Sequence, residues 1–295
     1  MSNNLIPLRL AVYYSYPSLI NSSNGDISAA SSVFSQYNQV ILGAGLEGND
    51  HPDHANTIAI ISSLPDTMFF GYIDSTLNLD QIQTKIDLWK STGVKGIFCD
   101  KFGFDYGCTR SVQRAIIWSI HAANLRAFVN AWNPDDVFSS VVVPYTNPDG
   151  LATRLGNKDW YLAESFGIIN GSFDDADNDS NGIKDFQDKA VKMVAYRTTY
   201  RTKMAAVATL GNATFAQNMV DYSYCIAALN KFDSWSFGEE FYSASSAMLP
   251  FRSRPPFYGT KFTSGVTTTD GKLERKTNVG LHVDTNTHTI NILLD

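Results

Sequence analysis

The chain has 295 residues, 44% of them hydrophobic, and a formal net charge of −6 at pH 7. That length suits one large core, and the acidic balance with no basic stripe argues against a nucleic-acid partner, whose phosphates need clustered Lys and Arg. No apolar run approaches the roughly 18 residues of a membrane span, and the opening MSNNLIPLRLAVYYSYPS lacks the basic flank, apolar stretch and cleavage site of a secretory signal.

Eight segments open on a β-branched or aromatic run and close on a polar, often acidic, residue. In chain order they are RLAVYYSY from Arg9, QVILGAGLE from Gln39, TMFFGYIDST from Thr67, VKGIFCDKFG from Val94, RAFVNAWNP from Arg126, WYLAESFG from Trp160, MAAVATLG from Met204 and SWSFGEE from Ser234. Their starts lie 30, 28, 27, 32, 34, 44 and 30 residues apart, about one strand–helix unit each. The spacing predicts an α/β fold, a (β/α)8 TIM barrel over residues 1–241, with its chemistry at the C-terminal ends of the strands.

The intervening helices carry ordinary signals. LNLDQIQTKIDLWKSTG sets Ile82, Ile86 and Trp89 on one face, opens on Asn78 and Gln81 at capping-box spacing and stops at Gly93. TRSVQRAIIWSIHAANL sets Val112, Ile116, Ile120 and Ala123 on one stripe, and residues 185–203 and 213–231 also read as helical. The fifth unit, DDVFSSVVVPYTNPDGLATRLGNKD, has two prolines and little periodicity, so its helix is short or displaced. Residues 242–295 form an extension: an irregular Ser/Thr/Gly/Pro-rich segment to 272, then a β-hairpin alternating Val279, Leu281, Val283 and Ile290, Ile292, Leu294. The hairpin is either a flap packed on the barrel or an edge that joins copies into a homo-oligomer. Three cysteines, Cys99, Cys108 and Cys225, make no disulfide framework and read as structural thiols.

The strand ends carry Asp74, Asp100, Glu164 and Glu239, which the barrel would gather around one mouth. Facing carboxylates such as Asp100 and Glu164 are what glycosidic cleavage needs, one protonating the leaving oxygen while the other attacks or stabilises the anomeric carbon. Tyr14, Tyr16, Tyr72, Tyr106, Trp132 and Trp235 sit at or near strand ends, and flat rings beside acids suit sugars. Asn130 and Asn133 offer amides to hydroxyls, and Asp74 and Glu239 further acceptors. Expected partners are therefore a polysaccharide, with no nucleic acid and no membrane. The alternative is that the aromatics only cap the core.

A second constellation runs from Asp177 to Asp188. Asp177, Asp179, Asn181, Asp185 and Asp188 take positions 1, 3, 5, 9 and 12 of an EF-hand-like loop, with Gly182 at 6 and the Ile183 carbonyl at 7. Ca2+ is the expected ion, bound more weakly because Asp188 replaces the usual Glu, and filled best in an extracellular setting. No organic cofactor is expected: GAGLEG lacks the phosphate-loop spacing and no G-x-S-x-G elbow exists; His51 and His54 lack companion ligands, and His121 reads as a packed or solvated helix residue.

GYIDST, GVKGIFCDKFGFDYGCTRSVQ, FVNAWNPDDVF and WYLAESF resemble the spherulin-like TIM-barrel proteins related to glycoside hydrolase family 135, and more distantly family 114. The resemblance spans roughly residues 8 to 240. It implies cleavage of a galactosamine-type exopolysaccharide without a cofactor, with Asp100 and Glu164 in the catalytic roles. One departure stands out, because the family pattern has Asp-Glu where this chain has Asp100-Lys101. An ammonium beside Asp100 would favour its ionised form, which suits a nucleophile and leaves Glu164 as the acid. If the missing Glu is essential, the barrel is a catalytically lapsed structural, assembly or adhesion subunit of a virion, filament or surface layer. An extracellular or surface location fits either reading, by an export route other than a signal peptide.

Overall fold

The computed structural model describes residues 7–238, 251–253, 261–269 and 272–292. Within them the chain runs β1 (Leu8–Tyr13), α1 (Ile27–Phe34), β2 (Gln39–Leu42), α2 (His54–Ser63), β3 (Met68–Asp74), α3 (Leu79–Ser91), β4 (Gly96–Asp100), α4 (Arg110–Ala122), β5 (Arg126–Asn130) and α5 (Pro134–Phe138). It continues through β6 (Trp160–Ala163), a small hairpin of β7 (Ile168–Ile169) and β8 (Ser172–Phe173), α6 (Asp185–Tyr200), β9 (Lys203–Thr209), α7 (Gln217–Leu229) and β10 (Ser234–Gly238). Four further strands follow: β11 (Phe262–Thr269), β12 (Lys272–Thr277), β13 (Leu281–Asp284) and β14 (Thr289–Ile292).

Strands β1 to β6, β9 and β10 pair in parallel and close into a barrel, each at its expected place. Period-two alternation then sorts side chains between two cores. Leu10, Val12, Ile41, Phe70, Phe98, Phe128, Trp160, Leu162, Ala205 and Val207 fill the inside. Phe128 is the hub, with ring centroids 5.2 Å from Phe70, 5.5 Å from Phe98 and 5.8 Å from Trp160. The alternate residues, among them Val40, Phe69, Ile97 and Tyr161, face the helices. No described helix is long and apolar enough to cross a membrane. All three cysteines are free and buried.

Helix α3 opens on the Asn78–Gln81 capping box and buries Ile82, Ile86 and Trp89. On α4 the buried set is Arg110, Gln113, Ile116, Ile117 and Ile120, so Val112 lies at the margin of the expected stripe. Beside it, α5 is only five residues long. Its last carbonyls have no helical successors, and the buried Arg110 guanidinium donates to those of Val137 and Ser139 instead.

The C-terminal extension exceeds the expected hairpin: β11 to β14 form one antiparallel sheet. Phe262–Thr269, read from sequence as irregular, is its first strand. The β13–β14 hairpin has the expected register, Leu281 opposite Ile292 and Val283 opposite Ile290. Leu273, Leu281 and Val283 are buried in the outer core, so the sheet packs its apolar side on its own barrel. Arg275 donates to the carbonyl of Leu229, at the end of α7.

Gly71 in β3 lies against the Trp89 indole, and a Cβ there would meet the ring at 2.1 Å from Cδ2. Gly71→Ala is therefore expected to cost about 1–3 kcal/mol through overpacking. Urea unfolding of the two proteins checks this, and an unchanged midpoint would contradict the packing.

Candidate active site

Inward parity brings five side chains to the C-terminal end of the barrel: Tyr72 and Asp74 from β3, Asp100 from β4, Asn130 from β5 and Glu164 just beyond β6. Asn130 is buried and its Nδ2 donates to both acids, at 3.0 Å to Asp100 Oδ1 and 2.9 Å to Glu164 Oε2. Two bonds to one nitrogen hold the bonded oxygens within about 6 Å of each other, so both acids face one space at the mouth. Asp100 Oδ2 accepts from the Tyr72 hydroxyl at 3.0 Å. Burial, reinforced by Asp100, holds that phenol well above its ordinary value, so it stays a donor.

Burial also raises the Glu164 carboxyl, and the charge of Asp100 adds to it; the Asn130 bond and the Lys189 ammonium pull the other way. A carboxyl pushed up by burial beside a second carboxylate matches the pairing of an acid with its partner. Asn130 is thus a bridge between acids, not a free amide for sugar hydroxyls. Asn133 is likewise committed, capping α5 by accepting from Asp135 N at 3.0 Å.

Lys101 departs from expectation. It follows β4 at φ 55°, in the left-handed region, and its Nζ reaches Asp74 Oδ2 at 2.6 Å. Its main partner is Asp74, with Asp100 a smaller attraction. Partial burial pushes Asp74 up, but bonds from Lys101 and Thr76 outweigh it and hold Asp74 below the usual carboxylate range.

The other expected site residues divide clearly. Tyr14 is half-buried, 5.3 Å from Tyr72, and Tyr16 stands beside His51 at 4.9 Å. Tyr106, in the turn after β4, and Trp132, after β5, are both exposed on this side of the barrel. Trp235 is not at the mouth. It has outward parity on β10, is buried beneath α7 5.1 Å from Tyr224, and donates to Ser223 Oγ at 3.3 Å. Glu239 lies outside the described residues.

One residue was not anticipated. Lys189 on α6 sets its Nζ 3.9 Å from the Trp132 ring centroid, and burial pulls it down to about 8 against the attraction of Asp174, Glu164 and Asp185. A signal existed, since Phe186, Ala190 and Met193 are buried and Lys189 interrupts their stripe.

In the loop before α6, Asp177 accepts from the amides of Asn181 and Gly182 at 3.1 and 2.9 Å. Asn181 Nδ2 joins Asp179 and Asp188, at 3.1 and 2.9 Å, while Asp185 accepts from Asn178. The donors are hard oxygens and α6 starts at loop position 9, yet no three His, Cys, Asp or Glu among the described residues already converge as a metal cage. The loop is fastened to the C-terminal sheet: Lys184 Nζ bonds Asp175 and the Thr285 carbonyl, and His288 bonds Asp175 at 2.8 Å while stacking on Phe173.

No protein-family model matches the chain, and no curated protein matches it. Solved structures of similar shape are TIM-barrel enzymes. The carboxyl transferase domain of Rhizobium etli pyruvate carboxylase with oxalate is 7% identical at a TM-score of 0.48, covering 82% of this chain and 41% of that one. XacCel5A, a glycoside hydrolase solved with cellopentaose, is 13% identical at 0.44, covering 87% and 96%. Dihydrodipicolinate synthase from Agrobacterium tumefaciens is 11% identical at 0.43, covering 79% and 70%. The chain spans 23% to 40% of the length of other pyruvate carboxylase chains that it matches.

Because Glu164 binds its proton more tightly folded than unfolded, its contribution to stability is fully present below the ordinary Glu value and is lost as pH rises through the raised one. Glu164→Gln removes that loss. The variant's melting temperature should gain on the parent's more at about pH 7 than at about pH 4. Scanning calorimetry at both values tests it, and an equal difference would count against a raised Glu164.

Proposed function

We propose that this barrel is a retaining glycoside hydrolase, with Asp100 as nucleophile and Glu164 as acid and then base. The observation that carries the reading is the single Asn130 amide shared by the two carboxylates. Asp100 attacks the anomeric carbon as Glu164 gives its proton to the leaving oxygen. Glu164 then takes a proton from water, whose oxygen displaces Asp100 from the glycosyl carbon. Tyr72 and Asn130 orient the nucleophile, and Trp132 and Tyr106 supply ring faces for neighbouring sugars. The substrate class is an extracellular amino-sugar polymer of the galactosamine type, supported by the resemblance of the strand-end phrases.

Lys101 gives a second reading its footing. It neutralises Asp74 where the family pattern has a second acid, as expected of a barrel whose catalysis has lapsed and which serves adhesion or assembly. Asp100→Asn and Glu164→Gln should each lower hydrolysis of a galactosamine polymer by about 10²–10⁴-fold with circular dichroism unchanged. The first-formed anomer, followed by NMR, should keep the substrate configuration. Unchanged turnover in both variants ends the hydrolase reading, and activity only after Lys101→Glu selects the lapsed one.

The Asp177–Asp188 loop is proposed separately to bind Ca2+ through Asp177, Asp179, Asn181, the Ile183 carbonyl, Asp185 and Asp188. The all-oxygen donor set and the helix start at position 9 support it. Chelator should lower the melting temperature, and Asp177→Ala with Asp179→Ala should remove that sensitivity. Identical melting with chelator and with calcium would refute it.

A further inference from the structure

The crossover from β5 to β6 is where the barrel departs most from strand–helix alternation. Residues 139–159 run back without a full second helix and leave the outer face of α4 open. Asn147 organises this loop, donating to the carbonyls of Val141 and Leu151 and accepting from Leu151 N at 2.9 Å. Arg114 on α4 ties to it through the Ala152 carbonyl at 2.6 Å.

Between helix and loop lies a groove of about 420 Å³ lined by Ser111, Arg114, Ala115, Trp118, Leu151 and Arg154. Trp118 is 59% exposed, and the same loop displays Val141 at 67%, Val142 at 61% and Tyr145 at 93%. Arg154 is exposed and has no hydrogen bond or ion pair among the described residues. No Asp or Glu lines the groove, although the chain carries a net charge of −6. Exposed apolar surface rimmed by Trp, Tyr and Arg is the composition of a protein-docking face.

We propose that this groove docks a second copy of the chain, receiving its acidic segment 174–188. Charge complementarity selects that occupant: the segment holds Asp174, Asp175, Asp177, Asp179, Asp185 and Asp188 against Lys184 alone. The groove does not pair with itself, because a two-fold contact would gather Arg114 and Arg154 of both copies with no acid in either lining. Made reciprocally, the contact closes a two-fold pair; made one way, it builds rings or filaments. The C-terminal sheet does not compete for this role through its apolar side, which is already buried on the barrel. The inference does not rest on the hydrolase reading.

Light scattering and sedimentation of the full chain test it. Mass should rise with concentration from about 1 to 100 µM at low salt and fall back in about 0.5 M salt. In chelator, where the calcium role proposed for Asp179 does not enter, Trp118→Ser, Arg154→Glu and Asp179→Lys should each give monomers with unchanged circular dichroism. Mixing the Arg154→Glu and Asp179→Lys proteins should restore association, since the intact loop of the first meets the intact groove of the second. A wild-type monomer throughout, or variants that assemble like wild type, overturns the proposal. So does a monomer that binds dextran sulfate or single-stranded DNA and loses that binding with Arg154→Glu, which would give the groove to a polyanion.

Discussion

Closing eight parallel strands into a ring leaves each residue one of two directions, inward or toward the helices, and this parity governs the molecule. The parity that puts Phe70, Phe98, Phe128 and Leu162 into the lumen carries Tyr72, Asp100, Asn130 and Glu164 to its mouth one step further along. An aromatic plug and a polar cluster are thus successive layers of one pattern. Shifting any of these strands by one residue would exchange the cluster for apolar side chains.

The cluster is costly to hold. Asn130 Nδ2 serves both acids, which leaves Asn130 Oδ1 buried with no donor among the described residues. An unpaired buried acceptor costs about 1–3 kcal/mol. The amide nevertheless has one acceptable orientation, because a flip would turn its oxygen onto two carboxylates. Around it burial pushes Glu164 up and Lys189 down, each toward its neutral form. Native barrels sustain such local losses with large cores, here an inner aromatic layer and an outer one.

The strands were legible because each buries a β-branched or aromatic run, and parity was legible because its period is two. That was enough to bring Asp100 and Glu164 together from 64 positions apart in the chain. Counting parity back from Ser234 and Ser236 would also have turned Trp235 outward. Other features depend on distances that no local pattern encodes. Lys101 looked like a neighbour of Asp100, but its left-handed backbone sends it across to Asp74. Asn130 and Asn133 read alike as exposed amides, yet one is sealed between acids and the other caps a helix. Strand β11 was hidden by its Ser, Thr and Gly content, since its pairing to β12 supplies what side-chain alternation does not. Lys189 left only a break in the buried stripe of Phe186, Ala190 and Met193, which does not say what it meets.

The fastening of the strand-six loop to the C-terminal sheet has a consequence for the order in which the molecule is completed. Lys184 and Thr285 are 101 residues apart, and Asp175 and His288 are 113 apart. Contacts of that span close late, after the barrel between them has formed. On the ribosome, the wall beside Glu164 waits for Thr285 and His288 to emerge. A nascent chain therefore carries its acids in a half-built vessel until those residues are made.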